Sequence, residues 1–170
     1  TKTTATLLAV MKLYDEGKFG LTDPISKYVP AMQGSRKGKI TIEDLLYHQS
    51  GLPGSWPFYR EAINDSSYTG GFFKGRIDAN HHLRVDRRLY VVDDFKYKEE
   101  YLSGVRSEAY PLQVSENLFV SPDFPKRMLE MIASDEIPLR DRRYRYSCLN
   151  FVLLKEMVEN ISGMPMDEYL

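Results

Sequence analysis

Leu45-Leu46-Tyr47-His48-Gln49-Ser50-Gly51-Leu52-Pro53 is the stretch on which the reading of this chain turns. It finishes a helix and then breaks the backbone sharply. The helix is announced by Ile40-Thr41-Ile42-Glu43-Asp44, with Thr41 as N-cap and Asp44, three residues on, as its capping-box partner. Gly51, Pro53 and Gly54 cannot continue a helix, so Gln49 to Gly54 is a turn. His48 falls in that turn and is expected to hydrogen-bond the loop rather than to react.

Upstream lies Thr1-Lys2-Thr3-Thr4-Ala5-Thr6-Leu7-Leu8-Ala9-Val10-Met11-Lys12-Leu13-Tyr14, a second helix. Its apolar residues point almost all the way round, the pattern of a helix buried on every side. It begins without a strand, a turn or an N-cap ahead of it, so the sequence reads as cut just upstream of something. Gly17 supplies a left-handed stop. Thr22 or Asp23 as N-cap, with Pro24 in the first turn, predicts a short helix that Val29-Pro30 ends. Gln33 to Lys39 reads as a polar loop.

Downstream, residues 54 to 116 are the least periodic part and read as an insertion or lid within a single domain. Trp56, Phe58 and Tyr59 suggest a packed aromatic loop or a short helix, and Tyr68-Thr69-Gly70-Gly71 a turn. His82 to Val92 alternates weakly and is rich in β-formers, which predicts a strand or hairpin. Ser121 caps a helix with Pro122 at its first position, running to about Ala133. Ser147 to Asn160 is a further helix striped by Leu149, Val152, Leu153, Met157 and Ile161, with Gly163 as its stop. Met164 to Leu170 opens one more. No internal repeat and no low-complexity tract is visible.

The composition narrows the function classes. The 170 residues are 42% hydrophobic and 28% charged, with a net charge of -1. That balance offers no argument for nucleic acid or for an anionic membrane surface. Cys148 stands alone, so it makes no internal disulfide and no cysteine metal site. His81 and His82 are adjacent, diverge on any regular element and would chelate poorly. Arg140 to Arg145 reads as a solvated, ion-paired loop. No apolar run reaches the roughly 18 residues that span a bilayer, and no signal peptide is visible.

Three strings in order carry a resemblance. Thr1-Lys2 opens a helix, Leu45 to Pro53 follows, and Tyr144-Arg145-Tyr146-Ser147-Cys148 leads into Leu149-Asn150-Phe151-Val152-Leu153-Leu154. Together they resemble the serine β-lactamase and penicillin-binding-protein superfamily, in its class C β-lactamase, D-alanyl-D-alanine carboxypeptidase and esterase branch. There a Ser-x-Thr-Lys motif opens the central helix, a segment like Leu-Leu-x-His-x-Ser-Gly-Leu-Pro follows, and a Tyr-Ser-Asn motif opens a later helix. The resemblance covers residues 1–53 and 117–170.

What it implies is acyl transfer. A serine hydroxyl is a weak nucleophile until a neighbour takes its proton. A lysine one helical turn on can do so once burial has lowered its pKa, and a tyrosine can pass the proton to the leaving group. By resemblance, Lys2 is that lysine and Tyr146 that tyrosine. Cys148 stands at the substrate-binding Asn position, and a thiol lacks the amide's paired donor and acceptor. The resemblance puts the nucleophilic serine two residues before Thr1 and a third motif beyond Leu170. The chain as given is therefore expected not to acylate. Cys148 as a replacement nucleophile with His48 as base has no supporting signature, and a small buried thiol is the simpler role.

The expected fold is mainly α with some β, the helical subdomain of a β-lactamase-like fold without most of its antiparallel sheet. The expected function is that of a piece of a periplasmic or extracytoplasmic serine hydrolase. Its substrate would be a small molecule or peptide: a β-lactam, a peptidoglycan peptide or a small ester. The resemblance implies no metal and no organic cofactor. The alternative, which Cys148 favours, is a non-catalytic binding or scaffolding domain. A homo-oligomer covering Leu7, Leu8 and Met11 is also expected, since an exposed apolar helix invites self-association.

Overall fold

The computed structural model describes residues 2–64, 66, 68 and 70–170. Thr1 and Thr69, which figure in the motif and turn readings above, lie outside the described residues. The described chain forms two compact units, residues 1–56 with 127–170 and residues 57–126.

The first unit is helical. Lys2–Thr6 is wound as a wide π-type turn that runs into α1, Leu7–Asp15. Short 3-10 turns follow at Ile25–Lys27, Pro30–Met32 and Arg36–Lys39, then α2, Ile42–Leu46. The long helix α5, Cys148–Ser162, packs against α1 and α2, and α6, Met166–Tyr169, packs on α5. Between α5 and its neighbours lie Leu13, Ile42, Leu45, Leu149, Leu153 and Met157, all fully buried. Each such side chain stabilises the fold by about 1.5–3 kcal/mol.

Two of the helix starts read from sequence carry their caps. The Thr41 hydroxyl accepts from the Asp44 amide and the Asp44 carboxylate accepts from the Thr41 amide, each at 3.1 Å. Ser147 caps α5 by accepting from the Leu149 amide, and Gly163 ends it in the left-handed conformation at φ 72°.

The first helix is covered on one side: Ala9, Val10 and Leu13 are buried, while Leu8, Met11 and Tyr14 are 48%, 52% and 50% exposed, the uncovered apolar face on which the expected self-association rests. Two expectations are corrected. Neither Thr22 nor Asp23 caps a helix. The Asp23 carboxylate instead accepts from the Gly20 amide, Lys27 and the Tyr28 hydroxyl at 2.8, 2.9 and 2.5 Å, which hold its pKa down to about 2. The loop from Gln33 to Lys39 is not simply polar, because Lys37 is 1% exposed. Its ammonium donates to the carbonyls of Ile132, Ser134 and Ile137. The first two lie at the C-terminal end of α4, Asp123–Ala133, where carbonyls lack intrahelical partners, and the third in the loop beyond it. Desolvation lowers the Lys37 pKa, and the three carbonyls are what make burial tolerable.

The second unit contains the short helix α3, Tyr59–Ala62, and two three-stranded antiparallel sheets. The first comprises β1 (Phe73–Lys74), β2 (Leu83–Asp86) and β3 (Leu89–Val91), in the order β1-β3-β2. The second comprises β4 (Leu102–Ser103), β5 (Leu112–Ser115) and β6 (Leu118–Val120), in the order β4-β6-β5. The hairpin expected between His82 and Val92 is β2-β3.

The two sheets are copies of one unit, which corrects the reading that the chain has no repeat. Phe73 pairs with Val91 and Leu102 with Val120, each partner displaced by the same 29 residues. The bulge between Arg84 and Asp86 recurs between Gln113 and Ser115. The Val92 amide donates to the Phe72 carbonyl at 3.1 Å, as Ser121 does to Tyr101 at 2.9 Å. In sequence the shared pattern is Leu-x-Val-x-x-x-Leu-[Tyr/Phe]-Val-x-x-Asp-Phe, at 83–95 and 112–124. Most other positions are exposed, so nothing in packing kept them alike.

Candidate active site

The site is built where the turn after α2 meets the start of α5. Four hydrogen bonds join the two segments: Arg140 amide to Gly51 carbonyl at 2.8 Å, Arg145 amide to His48 carbonyl at 2.9 Å, Cys148 amide to Gly54 carbonyl at 2.8 Å, and Ser147 hydroxyl to Pro53 carbonyl at 2.7 Å. Gly51 is required on two counts. Its φ is +78°, and a Cβ there would lie 2.5 Å from the Arg140 carbonyl oxygen.

Asn150 locks the same junction. It is wholly buried on the inner face of α5. Its amide nitrogen donates to the Leu45 carbonyl at 2.8 Å and to His48 Nδ1 at 3.1 Å. Its oxygen accepts from the Ser50 hydroxyl at 2.7 Å, and Ser50 in turn accepts from the Leu52 amide. A carbonyl can only accept, so the orientation of the Asn150 amide follows from Leu45.

His48 is held the same way. Its Nδ1 also accepts from the Ser147 amide at 3.2 Å, and a backbone N–H can only donate. The ring is therefore the neutral tautomer protonated at Nε2, and burial lowers its pKa in agreement. It lies against Tyr144, Tyr146 and Phe151, with ring centres at 6.2, 4.8 and 5.7 Å. Its φ of 56° is the left-handed turn conformation. His48 thus positions the segment that bears Tyr146, and its Nδ1 is not free to serve Cys148 as a base.

The residues singled out from sequence come together. Lys2 Nζ is 3.4 Å from Cys148 Sγ, and Cys148 Sγ is 3.9 Å from the Tyr146 hydroxyl. The ammonium also lies 5.9 Å from the centre of the Tyr146 ring. Lys2 is exposed in this structure. Hydrogen bonds to Tyr146 and then to Cys148 hold its pKa above the ordinary lysine value. In this arrangement Lys2 is an ammonium, a donor and a fixed positive charge.

The remaining candidates take other roles. His81 bonds Asp78 and the Gly71 carbonyl, each at 2.7 Å, and His82 bonds Asp93 at 2.6 Å. Among the described residues no group of three or more His, Cys, Asp or Glu side chains could hold a metal ion. In the Arg140–Arg145 loop, Arg142 pairs with Asp44 at 3.0 Å and Arg143 with Asp141 at 3.1 Å. The functional residue that sequence reading missed is Asn150. It sits at a position helical periodicity assigns to the apolar face, and a polar residue on that face was the available signal.

The family described as Beta-lactamase matches residues 1–170. The chain belongs to the beta-lactamase family. It is 39% identical over 176 residues to a putative D-alanyl-D-alanine carboxypeptidase of Escherichia coli (strain K12), covering 100% of this chain and 29% of that protein. It is 38% identical over 65 residues to an N-acetylmuramyl-L-alanine amidase of Bacillus subtilis (strain 168), covering 35% of this chain and 15% of the amidase. The chain thus spans less than a third of the length of these relatives. In fold it is similar to the octameric penicillin-binding protein homologue from Pyrococcus abyssi, with a TM-score of 0.51 and 22% identity over 99% of this chain and 28% of that one.

Proposed function

We propose that this chain forms the helical part of a serine hydrolase that cleaves an amide bond through an acyl-enzyme. The observation that carries the reading is the meeting of Lys2 with Tyr146 and Cys148, from opposite ends of the chain. The nucleophile in this reading is a serine two residues ahead of Thr1. The Lys2 ammonium orients the Tyr146 hydroxyl by hydrogen bonding, and Tyr146 relays the proton from nucleophile to leaving group. The relatives' names concern peptide and amide bonds of the cell wall. They support a peptidoglycan-type peptide over a small ester, and action outside the cytoplasm. Among the described residues no helix is long and apolar enough to cross a membrane. The half-exposed Leu8, Met11 and Tyr14 face is where a second subunit or a further part of the same protein would pack.

The test is covalent labelling of the protein that includes the residues before Thr1, using a fluorescent penicillin. Labelling that is lost in the serine and Lys2→Ala variants is expected. A serine at that position with no labelling, or labelling unchanged in Lys2→Ala, overturns the reading.

A second reading, a binding or scaffolding domain without catalysis, is favoured by Cys148 at the family's Asn position. It predicts alanine or glycine two residues before Thr1 and no gain of labelling in Cys148→Asn. The catalytic reading predicts that Cys148→Asn raises the labelling rate.

A further inference from the structure

The duplicated sheets in the second unit differ at the position of His81, and a cleft lies beside its counterpart in the second copy. In the first copy, His81 lies in the segment that joins β1 to β2, is 3% exposed, and bonds the Gly71 carbonyl through Nε2 and Asp78 through Nδ1. The corresponding residue of the second copy is Tyr110. Its hydroxyl reaches the Glu99 carbonyl, one position earlier than the counterpart of Gly71, as the longer side chain requires. The buried imidazole is thereby replaced by a half-buried tyrosine. Beside it is an open cleft of about 430 Å³ lined by Tyr97, Glu99, Leu102, Ser103, Gly104 and Tyr110.

The polar groups of the cleft specify a ligand class. The Ser103 hydroxyl is already committed, donating to the Val105 carbonyl at 2.9 Å and accepting from the Val105 amide at 3.0 Å. The Tyr110 hydroxyl is committed to the Glu99 backbone. The Glu99 side chain is exposed and has no hydrogen bond or ion pair among the described residues. Tyr97 is held by its edge-on contact with Phe95, ring centres 5.3 Å apart, and stays 43% exposed. The lining of the cleft therefore includes an acidic residue and two tyrosines beside an apolar wall. A cation on an alkyl stem needs a carboxylate for its charge, aromatic faces for cation–π attraction and an apolar wall for its methylenes.

We propose that the second copy binds a primary alkylammonium group between Tyr97 and Tyr110, with Glu99 as its counter-ion and Leu102 against the stem. The site is independent of the acyl-transfer reading.

The experiment is titration of the whole chain, followed by the aromatic NMR signals and by calorimetry. The probes are Nα-acetyl-lysine methylamide, its neutral norleucine analogue, 1,5-diaminopentane and methyl glucoside. Saturable binding by the two amines, absent for the norleucine analogue, is expected. Tighter binding of the lysine amide assigns the source to a peptide, and tighter binding of the diamine to a free polyamine. Glu99→Gln, an exposed change that leaves the fold intact, is expected to weaken binding by about tenfold. Tyr110→His, which removes one aromatic wall and places the first copy's residue there, is expected to abolish it. No saturation by either amine, equal binding of the norleucine analogue or the glucoside, or unchanged affinity in Glu99→Gln overturns the proposal.

Discussion

Replacing Asn150 by Leu tests whether one buried amide holds the active-site junction together. The two side chains are close in size, so little cavity term enters. What is lost is three hydrogen bonds at 2.7 to 3.1 Å, to Leu45, His48 and Ser50. Net, each is worth about 0.5–1.5 kcal/mol. Two partners differ in what remains to them: His48 Nδ1 keeps the Ser147 amide, whereas the 1% exposed Ser50 is left with a buried, unpaired donor. An orphaned buried group costs about 1–3 kcal/mol. Against this, the leucine adds favourable apolar burial. The expected loss is about 3 kcal/mol, read as a shift in the urea midpoint at unchanged slope. Ser50→Ala in the Asn150→Leu background removes the orphaned donor and is expected to recover about 1 kcal/mol of it. A second readout follows the site: once Asn150 ceases to hold the start of α5, Cys148 is expected to react faster with a disulfide reagent. A loss below about 1 kcal/mol with unchanged Cys148 reactivity would refute the reasoning, because the network would then be incidental to both stability and position.

Three further outcomes follow from the same structure. Lys37→Met keeps the stem but strands three carbonyls, and is expected to cost about 3–5 kcal/mol in denaturant unfolding; a near-neutral result would mean the ammonium is not capping the end of α4. The lowered pKa of His48 means the unfolded state binds its proton more readily, so stability is full above the ordinary histidine pKa of about 6.5 and falls as pH drops below it. His48→Asn, which tolerates the left-handed turn and still offers an acceptor, should flatten that part of the stability–pH curve and leave the deeper acid loss, where Asp23 protonates toward about 2. Gly51→Ala is expected to lower the melting temperature by more than a surface substitution, through both its positive φ and the clash with the Arg140 carbonyl; a melting temperature equal to that of the parent would contradict the described turn.

Local chemistry was written in the chain and could be read directly. Thr41 with Asp44, Ser147, Gly17 and Gly163 act on neighbours within a few residues, so spacing alone determines the caps and stops. The order of Thr1-Lys2, His48 to Pro53 and Tyr146 to Cys148 was likewise enough to point to the beta-lactamase family. Tertiary structure decided everything that depends on partners distant in sequence. Lys37 looks like a loop lysine until the end of α4, about a hundred residues away, presents its carbonyls. Asn150 is a polar interruption of an apolar face until Leu45, His48 and Ser50 surround it. Lys2 is marked by resemblance alone in the sequence, and only the fold brings it beside Tyr146 and Cys148. The duplication in the second unit was hidden for the same reason. Pairing register is a relation between strands, and it persists when the exposed side chains that would advertise it in sequence have diverged.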